Sequence, residues 1–180
     1  GVRAALRAEP RAGEKALVIG AGTIGLMTIQ ALRAAEPALD ITAAVLFDRQ
    51  GDEAAARGAD RALVRADLFD AAARIAGARL YSGFGGNRVA VGGFDLVCDC
   101  VGTSATLSTA LRCTRACGRV VLVGAALAPM KIDLTPVWYH EVDIRGMRSH
   151  GVEEWGGVRM PSYQRAASWV LEKKMRLAGM

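Results

Sequence analysis

Histidine is almost missing: His140 and His150 are the only two in 180 residues. A catalytic zinc site needs three protein ligands and an open fourth position, and two separated histidines do not make that pattern. His140 is followed directly by Glu141, and neighbouring side chains on a strand point to opposite faces, so this pair is a poor chelate. Cysteine is scarce as well. Cys98 and Cys100 lie in an apolar segment, on one face if it is a strand, and Cys113 and Cys117 close a helical one. Four cysteines without zinc-ribbon spacing make neither a metal knuckle nor a disulfide framework, and they read as small buried apolar residues.

Other features are absent too. The only apolar stretch near membrane-spanning length, from Ala16 to Leu32, is interrupted by three glycines, Thr23, Thr28 and Gln30, which suits a strand and a helix rather than a span. The opening GVRAALRAEPRAG holds no apolar signal region, so a cytoplasmic protein with no membrane partner is expected. The net charge is +5, yet the basic residues are scattered among acidic ones and form no run interleaved with aromatics. No nucleic-acid partner is therefore expected. There is no internal repeat.

What the chain does have is 52% hydrophobic residues and 21 glycines set between apolar segments, enough for one domain with a sizeable core. Strand and helix signals alternate. Strands are expected at Lys15 to Ile19, Ile41 to Phe47, Arg61 to Val64, Phe94 to Cys100, from Gly118 through GRVVLVGAA, and at Val142 to Met147. Helices are expected at Thr23 to Ala35, Asp52 to Arg57, Asp67 to Ala76 with Asp67 as N-cap, Ser104 to Cys113, and Ser162 to Leu177. Gly77 to Gly93 reads as a loop around SGFGGN. Near-continuous apolar strands separated by helices imply a parallel sheet covered on both faces. The fold class is α/β: a Rossmann-type, doubly wound parallel sheet of about six strands in three layers.

The stretch LVIGAGTIGLM places Gly20, Gly22 and Gly25 between the first strand and the first of these helices. In a dinucleotide site Gly20 permits the tight turn, Gly22 lets the backbone approach a pyrophosphate, and Gly25 brings helix and strand together. The N–H groups of Thr23 and Ile24 would meet the phosphate at the helix N-terminus. Asp48 follows the second apolar run, 23 residues after Gly25, and would accept the ribose hydroxyls. Its charge would repel a 2′-phosphate, so NAD is favoured over NADP. The neighbouring Arg49 works against this, because a guanidinium pairs with phosphate.

These segments resemble the nucleotide-binding domain of the medium-chain dehydrogenase/reductase superfamily, in its zinc-dependent alcohol, polyol and threonine dehydrogenase branch. GEKALVIGAGTIGLMTIQAL, ARGAD, FDLVCDCVG, GRVVLVG and WYHEVDIRG occur in the family's order from about Pro10 to Gly151; the longer glycine-rich loop at 77–93 departs from it. The resemblance implies further cofactor contacts at Val101 and Gly102, at Gly124 and Ala125, and through the main chain of Met147 and Ser149. It puts His150 near the nicotinamide end. It also implies a homodimer or homotetramer formed through the sixth strand.

Members carry an N-terminal catalytic domain that supplies zinc and most of the substrate pocket. With 19 residues before Gly20, the chain is expected to be the dinucleotide-binding domain alone, over residues 1–180, inactive by itself. The whole enzyme would move a hydride between NAD and a small alcohol or polyol. A non-catalytic NAD-binding sensor, a zinc-free quinone reductase-like domain and an S-adenosylmethionine methyltransferase are the competing readings.

Overall fold

The computed structural model describes residues 1–83, 87–125 and 127–177. In chain order the first half runs α1 (Val2–Ala8), β1 (Lys15–Ile19), α2 (Thr23–Ala35), β2 (Asp40–Val45), α3 (Asp48–Ala56), β3 (Arg61–Val64) and α4 (Leu68–Ala76). The second half runs β4 (Arg79–Ser82), β5 (Arg88–Val91), β6 (Phe94–Asp99), α5 (Ser104–Cys113), β7 (Thr114–Leu122), α6 (Thr135–Tyr139), β8 (Asp143–Gly146), β9 (Val152–Trp155), β10 (Val158–Pro161) and α7 (Ser162–Leu171).

Six strands form one sheet in the order β3-β2-β1-β6-β7-β8, and every pairing in it is parallel. The order doubles back at β1, so β1 and β6 lie side by side at the centre. Their C-terminal ends define the switch point where such sheets bind ligands. Apolar side chains alternate between the two faces. Ala16 and Val18 pack with α1, α2 and α7, whereas Leu17 and Ile19 pack with α4 and α5. Both faces being covered explains the unbroken apolar strands. Each fully buried residue such as Leu17, Ile41 or Leu111 stabilises the fold by roughly 1.5–3 kcal/mol.

The expected six-stranded α/β architecture is therefore observed, with several local differences. The segment 77–93, expected as a loop, contains an antiparallel hairpin with Arg79 opposite Val91 and Ser82 opposite Arg88. Of the SGFGGN cluster between the two strands, residues 84–86 lie outside the described residues. The strand expected to reach Phe47 stops at Val45, and α3 begins at Asp48 rather than Asp52. β7 begins at Thr114, before Gly118, and its first part turns at Cys117 with φ +54. The last helix ends at Leu171, and Lys173 leaves helical geometry with φ +59. The segments α1, α6 and the β9–β10 hairpin were not anticipated. The Asp67 cap is as expected: its carboxylate accepts the N–H groups of Phe69 at 2.9 Å and Asp70 at 3.2 Å.

A buried ion pair ties α1 to the sheet. Arg119 on β7 pairs with Glu14 and donates to the carbonyl of Ala8 at 3.0 Å. Cys98 and Cys113 are buried, and Cys98 and Cys100 share one face as expected. The small-buried-residue reading fails at Cys117, which is exposed, and holds only in part at Cys100, which is half-buried. No helix among the described residues is long and apolar enough to cross a membrane.

Candidate functional site

The site grows from the end of β1. Gly20 has φ +89 and donates its N–H to Ala44 at 2.8 Å, which starts the turn out of the sheet. Gly22 is the N-cap of α2, and a Cβ built there would meet nothing within 4 Å. The space in front of this backbone is thus open to a ligand. At the same turn a Cβ on Gly25 would lie 1.9 Å from the carbonyl oxygen of Gly20. Helix and strand meet here at a distance only glycine allows. The first N–H groups of α2, including those of Thr23 and Ile24, have no partner within the helix. They face the open side with the positive end of the helix dipole behind them. This cradle fits a pyrophosphate.

Beside it runs a cleft of about 440 Å³. Gly20 and Gly22 form one wall, Leu46 and Gln50 close the β2 side, Arg65 closes the β3 side, and Val101 faces them from β6. The Val101 side chain lies against Gly20, where an added Cβ would come within 2.6 Å of its Cγ2. The Gln50 side chain accepts the N–H of Leu46 at 3.2 Å and so covers the exit of β2. Leu46, Gln50 and Arg65 were not singled out in the sequence. Only the folded sheet shows that the ends of β2 and β3 share this rim.

Asp48 sits in the first turn of α3 with its side chain 82% exposed, and its Oδ2 lies 3.8 Å from Arg65 Nη2. It stands at the rim and is not among the residues that line the cleft. Arg49 is exposed and lines an adjoining hollow with Phe47 and Glu53, which shares Ala21 and Gln50 with the cleft.

Asp99, fully buried at the end of β6, organises the next two loops. Its carboxylate accepts the N–H groups of Val101 and Gly102 and the hydroxyl of Thr106, each at 3.0 Å. Its carbonyl accepts the N–H groups of Val123 at 2.9 Å and Gly124 at 2.8 Å. The loop after β6 is thereby fixed to the loop after β7. The two touch at glycines, since a Cβ on Gly102 would lie 2.4 Å from the carbonyl carbon of Gly124. Thr103 then caps α5, with its hydroxyl accepting the N–H of Thr106 at 3.1 Å. An acid inside FDLVCDCVG was the available sequence signal for Asp99. Ala125 follows Gly124 and is exposed.

The remaining expected contacts lie elsewhere. Met147 donates its N–H to Leu122 at 3.1 Å and packs its side chain into the core. Ser149, with φ +44, borders a second, apolar groove of about 650 Å³ together with His150, Met27 and Tyr163. Neither Met147 nor Ser149 lines the glycine-turn cleft. His140 is buried, and its Nδ1 has no hydrogen-bond partner among the described residues. No group of three or more His, Cys, Asp or Glu side chains that could hold a metal occurs among the described residues.

A family model described as zinc-binding dehydrogenase matches residues 23–160. The chain is 35% identical to a sorbitol dehydrogenase of Arabidopsis thaliana over 151 residues, and 37% identical to an L-idonate 5-dehydrogenase of Vitis vinifera over 152 residues. Each match covers 82% of this chain and 38% of the relative, so the chain spans well under half the length of those curated proteins. Among solved structures, the L-idonate 5-dehydrogenase of Escherichia coli superposes with a TM-score of 0.73 at 22% identity, over 97% of this chain and 44% of that one; this likeness shows the fold. Six parallel strands, a glycine turn between β1 and α2 and the family match agree: the chain belongs to the zinc-binding dehydrogenase family.

Proposed function

We propose that this chain is the cofactor-binding domain of an alcohol or polyol dehydrogenase and that it binds a nicotinamide dinucleotide across the C-terminal ends of β1 and β6. The observation that carries the reading is the open backbone in front of Gly22, backed by the close Gly20–Gly25 contact. The pyrophosphate would lie on the N–H groups of Thr23 and Ile24, with the adenosine in the cleft between Leu46 and Val101. Asp48, at the rim, would take the ribose hydroxyls of NAD. Gly102, Gly124 and Ala125 would border the nicotinamide half, with the main chain of Met147 and Ser149 beyond them.

When bound, the nicotinamide supplies the hydride chemistry. This chain's residues bind and orient it. The substrate, a small alcohol or polyol by analogy with the sorbitol and L-idonate dehydrogenases, would be held by a catalytic domain outside these residues. That domain would also hold the zinc, for which no ligand cluster is present here among the described residues.

An assembly through β8 belongs to the same reading. Among the described residues β8 pairs only with β7 in the sheet. Trp138 (79% exposed), Tyr139 and Leu134 lie just before it. An open strand edge beside exposed aromatic residues suits pairing with a second copy. Sedimentation of Trp138→Glu should show a smaller species than the parent chain; equal mass would remove this face from the interface.

Calorimetric titration with NADH tests the cofactor assignment. Saturable one-to-one binding, weakened by Asp48→Ala, is expected. Binding of S-adenosylmethionine without NADH would overturn it.

A further inference from the structure

One charged side chain at the cleft has no place in the reading above. Arg65 is the first residue beyond β3, and its N–H extends the ladder to Val45 O at 2.9 Å. Its φ of +48 turns the side chain back over the end of β2. There Nη1 donates to Leu46 O at 3.0 Å and Nη2 lies 3.8 Å from the Asp48 carboxylate. The guanidinium therefore shares one point of the rim with the acid expected to meet the ribose. Arg49, the cation that the sequence offers for a phosphorylated ribose, lies in the neighbouring hollow with Glu53.

We propose that Arg65 reads the 2′ position of the adenosine ribose, and that it lets the cleft accept the 2′-phosphorylated dinucleotide, NADPH, more tightly than NADH. This rests on the cofactor reading of the same cleft. A phosphate brings between one and two negative charges and several acceptor oxygens, and a guanidinium can meet them with two parallel N–H donors. Asp48 opposes the phosphate but is weakly held. An exposed ion pair of this length restrains it only weakly, so the carboxylate can swing into solvent while Arg65 stays anchored to Leu46. With an unphosphorylated ribose Asp48 accepts the hydroxyls, and Arg65 remains its counterion. The pair thus serves either ribose.

The test uses fragments that differ only at this position. Adenosine 2′,5′-bisphosphate and adenosine 5′-monophosphate are titrated into the chain and into its Arg65→Gln and Arg49→Gln variants. Arg65 is a surface side chain, so the fold should survive, and circular dichroism checks it. The expected result is at least about tenfold tighter binding of the bisphosphate, an advantage that shrinks as salt rises. Arg65→Gln should erase the advantage, and Arg49→Gln should leave it. Binding of both nucleotides with no preference, or a preference that survives Arg65→Gln, would overturn the assignment of Arg65 and leave the cofactor reading standing. Binding of neither would overturn both.

Discussion

The carbonyl oxygen of Gly20 occupies the place where a side chain on Gly25 would begin, 1.9 Å from an ideal Cβ. The contact is between backbones, so nothing flexible can yield. Gly25→Ala must push α2 off the end of β1, which opens the phosphate cradle as it destabilises the fold. We expect a loss of about 2–3 kcal/mol in urea unfolding, as for an overpacked core, together with loss of NADH binding. Gly22→Ala is the control: its Cβ would meet nothing, so stability should hold while the dinucleotide meets a new methyl group. An unchanged Gly25→Ala protein would mean that the helix is not seated on the strand in this way.

Asp99 is predicted to hold two loops at once. In Asp99→Asn the oxygen that accepts from Val101 and Gly102 can be kept only if the amide nitrogen takes the other position, next to the Thr106 hydroxyl. One arrangement leaves that hydroxyl to reverse its role, and the other leaves N–H groups unsatisfied. A buried unsatisfied group costs about 1–3 kcal/mol. Thermal unfolding of Asp99→Asn should shift downward, and Asp99→Ala, which removes both carboxylate oxygens, should speed amide exchange first at Val101 and Gly102. Exchange at those amides equal to the parent would contradict the clamp.

Much of this was legible in the sequence because the signals were local. The glycine turn, the Asp67 cap and the unbroken apolar strands each follow from neighbouring residue types. The hairpin of β4 and β5 was hidden for the opposite reason. All four residues of β4 are exposed, so no apolar alternation marks it, and the glycine-rich SGFGGN cluster reads as a loop. Asp48 was placed at a strand end, yet β2 stops two residues sooner at Val45 and α3 begins at Asp48 itself. The role of Arg65 depends on β3 lying beside β2, which is a tertiary fact. Asp99 could be seen as an acid in an apolar strand, but its hydrogen bonds reach two loops and, at Thr106, the first turn of α5.

Acid stability should report on Asp67. Burial works against its charge, but the Arg88 hydrogen bond and the N–H groups of Asp70 and Phe69 outweigh burial and hold its pKa below the ordinary value of 3.8. A carboxylate with a lowered folded pKa contributes stability above its unfolded pKa and loses it as pH falls through the folded value. Asparagine is an equally good cap, so Asp67→Asn removes only the charge. Its melting temperature should lie slightly below the parent's at pH 7 and converge with it below about pH 4. Asp67→Ala also loses the cap and should cost about 1 kcal/mol more. A constant gap for Asp67→Asn from pH 7 to pH 3 would contradict the ion-pair account.

The four cysteines should separate by reactivity. Thiol chemistry runs through the thiolate. Burial pushes the Cys100 and Cys113 thiols up to about 12 and raises that of Cys98 well above its usual value. Cys117 is exposed. With a thiol reagent at pH 7.5 we expect one fast equivalent, abolished in Cys117→Ser, and three more only on unfolding. A second fast equivalent, lost in Cys100→Ser, would show that the partly buried Cys100 is reached through the cleft, and a third that a buried site opens.

The central claim is that a nicotinamide dinucleotide lies on the turn from Gly20 to Gly25. Amide chemical shifts recorded while NADH is added test it most directly. The account predicts saturating shifts at Gly22, Thr23 and Ile24, with smaller ones at Val101 and Gly102 across the cleft. Saturating shifts confined to the apolar groove around Met27, Ser149 and Tyr163, with the glycine turn unmoved, would contradict it.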